Sequence, residues 1–243
     1  MTEDEPPLGR REMNTPPLGR REMNKALRRS AILGAARDLL REFEIDKITV
    51  EQVADRADVS PATVYNLVGT REAVFRALMQ ELLASLATEL DGLSAEDPIG
   101  YAEAIVTRSV DRFVDDPLVH RELIGLLMSS RRDPVQHEAG VDAAYLQVEA
   151  IQAAQAAGLV DPDVDPEVIG LQILLSYDGA MIDWARGRLD DDGFKLYALQ
   201  GLYATLVAVA TETSVADLRS RLNRIHEQLR GNAPLGRPIL GGG

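Results

Sequence analysis

Residues Thr49 to Arg71, TVEQVADRADVSPATVYNLVGTR, constrain the fold more than any other stretch, because they read as two short helices joined by a sharp turn. Val50, Val53, Ala54 and Ala57 recur at helical spacing and give the first helix one apolar face. Asp58-Val59-Ser60-Pro61 then breaks the period. Ser60 suits the N-cap of the next helix, and Pro61 suits its first turn, where a backbone N–H would have no partner. Val64, Leu67 and Val68 make the inner side of that second helix, which leaves Ala62, Thr63, Tyr65 and Asn66 to face outward. A short helix with small and hydrogen-bonding residues at its exposed N-terminal end suits the major groove of DNA.

The overall charge argues against such a partner, and its distribution restores it. The 243 residues carry a formal charge of −13. Within residues 6–37, however, eight basic residues face two acidic ones, and the acidic excess lies beyond residue 80. A basic end beside the helix-turn-helix and an acidic body that DNA repels fit a protein that presents one end to nucleic acid. There is no Cys, which excludes disulfides, thiolate metal sites and Cys nucleophiles together. No stretch has the apolar run of a signal peptide or a membrane span, so a cytoplasmic protein with no membrane partner is expected.

Four regions follow from the punctuation. Residues 1–24 hold a tandem repeat, EPPLGRREMN then TPPLGRREMN, whose Pro-Pro and Gly disfavour helix and predict a flexible basic arm. Arg10, Arg11, Arg20 and Arg21 there either reach DNA or belong to a silent tail. Residues 25–70 form a three-helix head: Ile32, Ala36, Leu39, Leu40 and Phe43 stripe a first helix from Lys25 to about Glu44. Residues 71–231 form a helical body, with helices at about 70–91, 98–115, 117–129, 134–157, 166–187, 191–211 and 214–230. Val215, Leu218, Leu222, Ile225 and Leu229 stripe the last of these, either to pack on the body or to join two chains. Residues 232–243 are expected to be disordered. The fold class is therefore all-α.

The pattern Thr49, Val53-Ala54, Ala57, Val59-Ser60, Ala62-Thr63-Val64-Tyr65 and Arg71-Glu72 resembles the TetR-like family of one-component transcriptional regulators. The match covers about residues 27–85. It departs at Asp58, where the family has Gly, and at Leu67-Val68, which replaces a His/Tyr-Phe pair. The resemblance implies an N-terminal DNA-binding domain and a C-terminal helical bundle for ligand binding and dimerisation. It implies a repressor released from a palindromic operator by a small, largely apolar inducer. A ligand-independent structural DNA-binding protein is the alternative.

The DNA-binding candidates are Thr49, Ser60, Pro61, Ala62, Thr63, Tyr65, Asn66, Thr70 and Arg71. The Thr49 and Ser60 hydroxyls stand at helix N-termini, where a phosphate is favoured, though each also reads as a plain cap. Asn66 can pair with adenine N6 and N7, and Pro61 and Ala62 can touch a thymine methyl. The resemblance gives phosphate contacts to Tyr65 and Arg71. It also encloses an inducer among the body helices, with Phe113, Leu127, Met128, Tyr145, Gln152, Tyr177, Asp178, Met181 and Trp184 as candidates. It pairs the helices at 166–187 and 191–211 into a homodimer, where Gly170, Gly179, Ala180, Gly201, Ala204 and Ala208 would permit close approach.

An enzyme is not expected. No nucleophile elbow, phosphate-binding Gly loop or metal-ligand cluster occurs, and no cofactor is implied. His120 and His226 read as solvated residues, and Asp190-Asp191-Asp192 as the acidic start of a helix.

Overall fold

The computed structural model describes residues 19–90, 97–129 and 134–231, and the side chains of these except at 87, 90 and 127–144. The repeat up to residue 18, most of the linker at 92–97 and the tail at 232–243 lie outside the described residues. Among the described residues there are ten α-helices and no strand, with one isolated antiparallel bridge between Val160 and Ala210. The head is α1 (Arg20–Glu42), α2 (Val50–Arg56) and α3 (Pro61–Leu67). From it α4 (Arg71–Leu90) leads to the body: α5 (Pro98–Val114), α6 (Pro117–Ser129), α7 (Pro134–Ala156), α8 (Pro166–Ala185), α9 (Asp191–Ala208) and α10 (Val215–Gly231).

Local chemistry explains the boundaries. Pro98, Pro117, Pro134 and Pro166 each open a helix, where a fixed φ helps and a missing N–H costs nothing. Asp97, Asp165 and Asp190 cap α5, α8 and α9 through side-chain oxygens 2.7–3.0 Å from backbone N–H groups. α1 starts at Arg20 rather than at Lys25, because RREMNKALRRS after Gly19 contains no helix breaker. A short 3-10 turn at Ile45–Lys47 joins α1 to α2.

Ile32, Leu33, Ala36, Leu39 and Leu40 of α1 pack with Val53 and Ala54 of α2, Val64 of α3, and Val74, Phe75 and Leu78 of α4. The head also grips the body directly. Arg41 donates to Asp116 at 2.7 Å, and the Ile45 N–H donates to Glu122 of α6 at 3.0 Å. In the body, α8 is sandwiched between α7 and α9, and α10 lies on α9. Leu218 and Ile225 are buried there, so the apolar stripe of the last helix packs on its own chain. Tyr203 donates to Glu103 at 2.6 Å and Arg221 reaches the same carboxylate at 3.3 Å, which ties α9 and α10 to α5. No helix among the described residues is long and apolar enough to cross a membrane.

One expectation is corrected here: His120 is buried. Its Nδ1 lies 2.8 Å from Phe113 O, and its ring meets the Phe113 ring edge-on. It shares a face of α6 with the buried Val119, Leu123 and Ile124. Desolvation holds its pKa below the ordinary histidine value. His226 stays partly exposed.

Helices α8 and α9 approach closely at Gly201. A Cβ on Gly201 would lie 2.5 Å from Ser176 Cβ, so only glycine fits without a shift. This small residue therefore serves packing within one chain. Gly201→Val should cost about 1–3 kcal/mol through overpacking, or roughly 2–10 °C in Tm. Thermal unfolding measures it, and an unchanged Tm would mean the two helices do not meet at this point.

Candidate nucleic-acid interface

The interface is built from three helix starts. Thr49 caps α2 in a reciprocal box: its Oγ1 accepts from Gln52 N at 3.3 Å, and its own N–H donates to Gln52 Oε1 at 2.8 Å. α2 ends in a left-handed turn at Asp58, with φ +54. Val59 N–H returns to Ala54 O at 3.0 Å and Asp58 N–H to Asp55 O at 3.3 Å, the two bonds of a Schellman ending. Asp takes the conformation that glycine takes most freely, so the departure from the family's Gly leaves the turn intact. Ser60 Oγ then accepts from Thr63 N at 3.2 Å and lies 2.9 Å from Thr63 Oγ1. Thr70 Oγ1 accepts from Ala73 N at 3.3 Å and opens α4.

On α3, Val64 is wholly buried and fixes the roll of the helix. Pro61, Ala62, Tyr65 and Asn66 are consequently exposed, and Thr63 is half-buried beside Ser60. Tyr65 is 52% exposed, an unusual state for a ring that size. Thr49, Ser60 and Thr70 are exposed as well. Arg71 differs from the other eight candidates. Its Nε donates to Ile48 O at 2.7 Å and an Nη donates to Ile45 O, while Asp46 and Glu72 each lie 3.6 Å away. The guanidinium also covers the Phe75 ring at 5.2 Å. Its bonds go to the protein, where they hold the segment that leads into Thr49.

Sequence reasoning placed Arg20 and Arg21 on a flexible arm, whereas both stand on α1. With Lys25 and Arg28 they form an exposed basic run ahead of the first buried residue, Ile32. The signal was the absence of any breaker after Gly19.

The body candidates do not converge. Trp184 is fully buried, stacked on Phe194 at 5.3 Å, with its Nε1 donating to Asp191 at 2.7 Å and Arg121 over its ring at 4.8 Å. It is a packing lock between α6, α8 and the start of α9. Phe113 is core against His120. Tyr145 and Gln152 are exposed, and Met181 is half-buried. The side chains of Leu127 and Met128 lie outside the described residues. Tyr177 points inward, 5.6 Å from Phe194, and burial pushes its phenol above the usual range. Its hydroxyl is buried without a hydrogen bond of normal length, since the nearby Ser109 hydroxyl donates to Ile105 O at 2.7 Å. Gln147 Oε1 is likewise buried and unpaired, although Gln147 Nε2 lies 3.4 Å from Ala102 O. Among the described residues no group of three His, Cys, Asp or Glu could hold a metal.

Comparison with known proteins adds two kinds of likeness. Residues 32–78 match the model of the bacterial regulatory proteins, tetR family. A stretch of 99 residues is 37% identical to YdeS of Bacillus subtilis, described as an uncharacterised HTH-type transcriptional regulator; it covers 39% of this chain and 47% of that one. This chain thus spans less than half the length of that relative. Among solved structures, SmeT, the repressor of the Stenotrophomonas maltophilia multidrug efflux pump SmeDEF, is 21% identical, with 76% of this chain and 91% of SmeT covered and a TM-score of 0.62. A complex of SmeT with triclosan superposes with a TM-score of 0.58, at 19% identity, over 76% of this chain and 93% of that one. A TetR transcription regulator from Haloarcula marismortui is 18% identical, with 76% and 100% covered and a TM-score of 0.67. At these identities the structures establish a shared fold.

Asp178 offers a test of the body's interior. Desolvation pushes its carboxyl up to about 6 from the ordinary 3.8. The fold therefore disfavours the ionised form, and this group costs nothing at low pH and its full penalty above about pH 6. Asp178→Asn should leave stability unchanged near pH 3 and raise it by about 2–3 kcal/mol at pH 7.5. Urea unfolding of parent and variant at both pH values checks this; a gain that does not vary with pH would mean that the carboxyl is not desolvated.

Proposed function

We propose that the chain, whose residues 32–78 match the model of the bacterial regulatory proteins, tetR family, is a sequence-specific DNA-binding regulator, a repressor that a small and largely apolar ligand releases from a palindromic operator. The single observation that carries this reading is the exposed outer face of α3. Pro61, Ala62, Tyr65 and Asn66 are turned to solvent while Ser60 caps the helix and Val64 anchors it. Base contacts come from Asn66, Pro61 and Ala62; Thr49, Ser60, Thr63, Tyr65 and Thr70 hold phosphates and set the register. Arg71 acts by fixing the start of α2, with its outer edge facing the same backbone.

Ligand release has support in the body. Tyr177 Oη on α8 is buried without a hydrogen bond of normal length and Gln147 Oε1 on α7 is buried and unpaired, and buried polar atoms are seldom left so. A ligand with one polar group and an apolar frame would satisfy such atoms. A ligand that prefers the arrangement with wrongly spaced heads lowers operator affinity by that preference alone. The triclosan complex of SmeT is a precedent in a protein of like fold.

Homodimerisation is supported by α8. Val168, Leu171 and Leu175 are 49–61% exposed and follow one another along one side of the helix. A second copy of the same face would cover them, and a two-fold protein reads two half-sites.

Two measurements test these readings. Asn66→Ala should cost about 1–3 kcal/mol on the matched duplex and narrow the gap to scrambled DNA. Fluorescence anisotropy reports it, and equal affinity of the native protein for every duplex would remove sequence reading. Leu171→Glu should yield monomers at micromolar concentration in light scattering. A variant that stays dimeric would exclude this face.

A further inference from the structure

Among the described residues nothing covers the first three turns of α1. Residues 19–31 are exposed, save the half-buried Arg29, and full burial begins at Ile32. From Arg20 to Ile32 the helix rises about 18 Å. It therefore overhangs the head. At its other end α1 meets the body, through Arg41 and Asp116, so the overhang leads away from that junction.

The overhang carries Arg20, Arg21, Lys25, Arg28 and Arg29 against Glu22 alone, in a chain whose formal charge is −13. Along the described chain, ion pairs begin at Arg29, 3.9 Å from Glu81 of α4; Arg20, Arg21, Lys25 and Arg28 have none. The acidic body of the same chain thus leaves these four cations unclaimed. Three of them are also aligned. Arg21, Lys25, Arg28 and Ile32 recur at intervals of four, three and four residues and share one side of the helix. Ile32 is wholly buried on that side. Its flanks are marked by Glu42, which accepts from Arg56 of α2, and by Arg29, which pairs with Glu81 of α4. On the helical repeat of about 3.6 residues, Arg21, Lys25 and Arg28 fall between those flanks. The basic stripe thus continues the face that α1 turns to α2, α3 and α4, past the point where they cover it. Met23 and Leu27 are exposed on the opposite side, and two apolar residues are a weak anchor for a lipid surface.

We propose that the overhang of α1 lays Arg21, Lys25 and Arg28 along the phosphate backbone of DNA beside the helix-turn-helix. A row of unpaired cations on long stems complements a polyanion with regularly spaced charges. Phosphate contacts of this kind add affinity without adding sequence preference. The inference rests on the DNA-binding reading and gives that reading a second contact, built by α1 alone.

Fluorescence anisotropy of the full chain on two unrelated duplexes, read across a range of salt, tests it. The triple variant Arg21→Gln, Lys25→Gln, Arg28→Gln should flatten the slope of log affinity against log salt by about 2–3 and weaken binding at least about tenfold near 0.1 M salt, equally on both duplexes. The same loss of charge from exposed positions of α10, through Arg219→Gln, Arg224→Gln and Arg230→Gln, should move the slope by less than about 0.5. An α1 variant whose slope stays within about 0.5 of the native value, or an equal effect from the α10 variant, would overturn the proposal. Loss of native binding to phosphatidylserine vesicles in the α1 variant, with its DNA slope unchanged, would assign the stripe to a membrane surface instead. A native chain indifferent to sequence, with a flattened slope in the α1 variant, removes the sequence reading and keeps this contact. No binding of the native chain to either duplex at about 50 mM salt removes both.

Discussion

The clasp of Arg71 on two backbone carbonyls organises the head. Arg71 opens α4, while Ile45 and Ile48 belong to the connection that delivers the chain to Thr49. Bonds of this kind, with a charged donor, each contribute about 1.5–3 kcal/mol. They join α4 to the start of α2 across more than twenty residues of sequence. With α2 held, the turn at Asp58 and the cap at Ser60 determine where α3 points, and the burial of Val64 determines which of its sides is outward. The exposed side of α3 is thus a consequence of contacts made elsewhere.

A second set of contacts binds the head to α6. The pair Arg41–Asp116 and the bond from Ile45 N–H to Glu122 bypass α4 altogether. Arg41 is 45% exposed and Asp116 18%, so this pair is more open to water than the packed core and contributes less per contact. The apolar packing of α1 against α4 is dry by comparison. The two routes from head to body therefore differ in kind: one is a packed apolar seam, the other a pair of polar contacts.

What the sequence disclosed was what local chemistry decides. The caps at Thr49, Ser60 and Thr70, the helix starts at proline, and the inner face of α3 depend on residues within a turn of one another, and they were legible. The apolar stripe of α10 was legible too, although whether it met its own body or another chain needed the fold. The bonds of Arg71 to Ile45 and Ile48 were not legible, because its acceptors are backbone carbonyls, which carry no sequence signature. His120 was read as solvated because its neighbours His-Arg-Glu are polar, whereas its place on the α6 face with Val119 and Leu123 buries it. The body candidates were the least legible. An aromatic that lines a cavity and one that fills a core have the same composition, and only coordinates distinguish Trp184 as a lock from Tyr177 as a buried, unpaired phenol.

The glycine contact between α8 and α9 constrains how any signal crosses the molecule. At Gly201 the two helices meet so closely that any Cβ there would strike Ser176. Close packing of this kind resists a change in their spacing. If two such pairs meet across a symmetry axis, adjustment in the reach of the paired heads falls to how each α4 and α6 tilts above them.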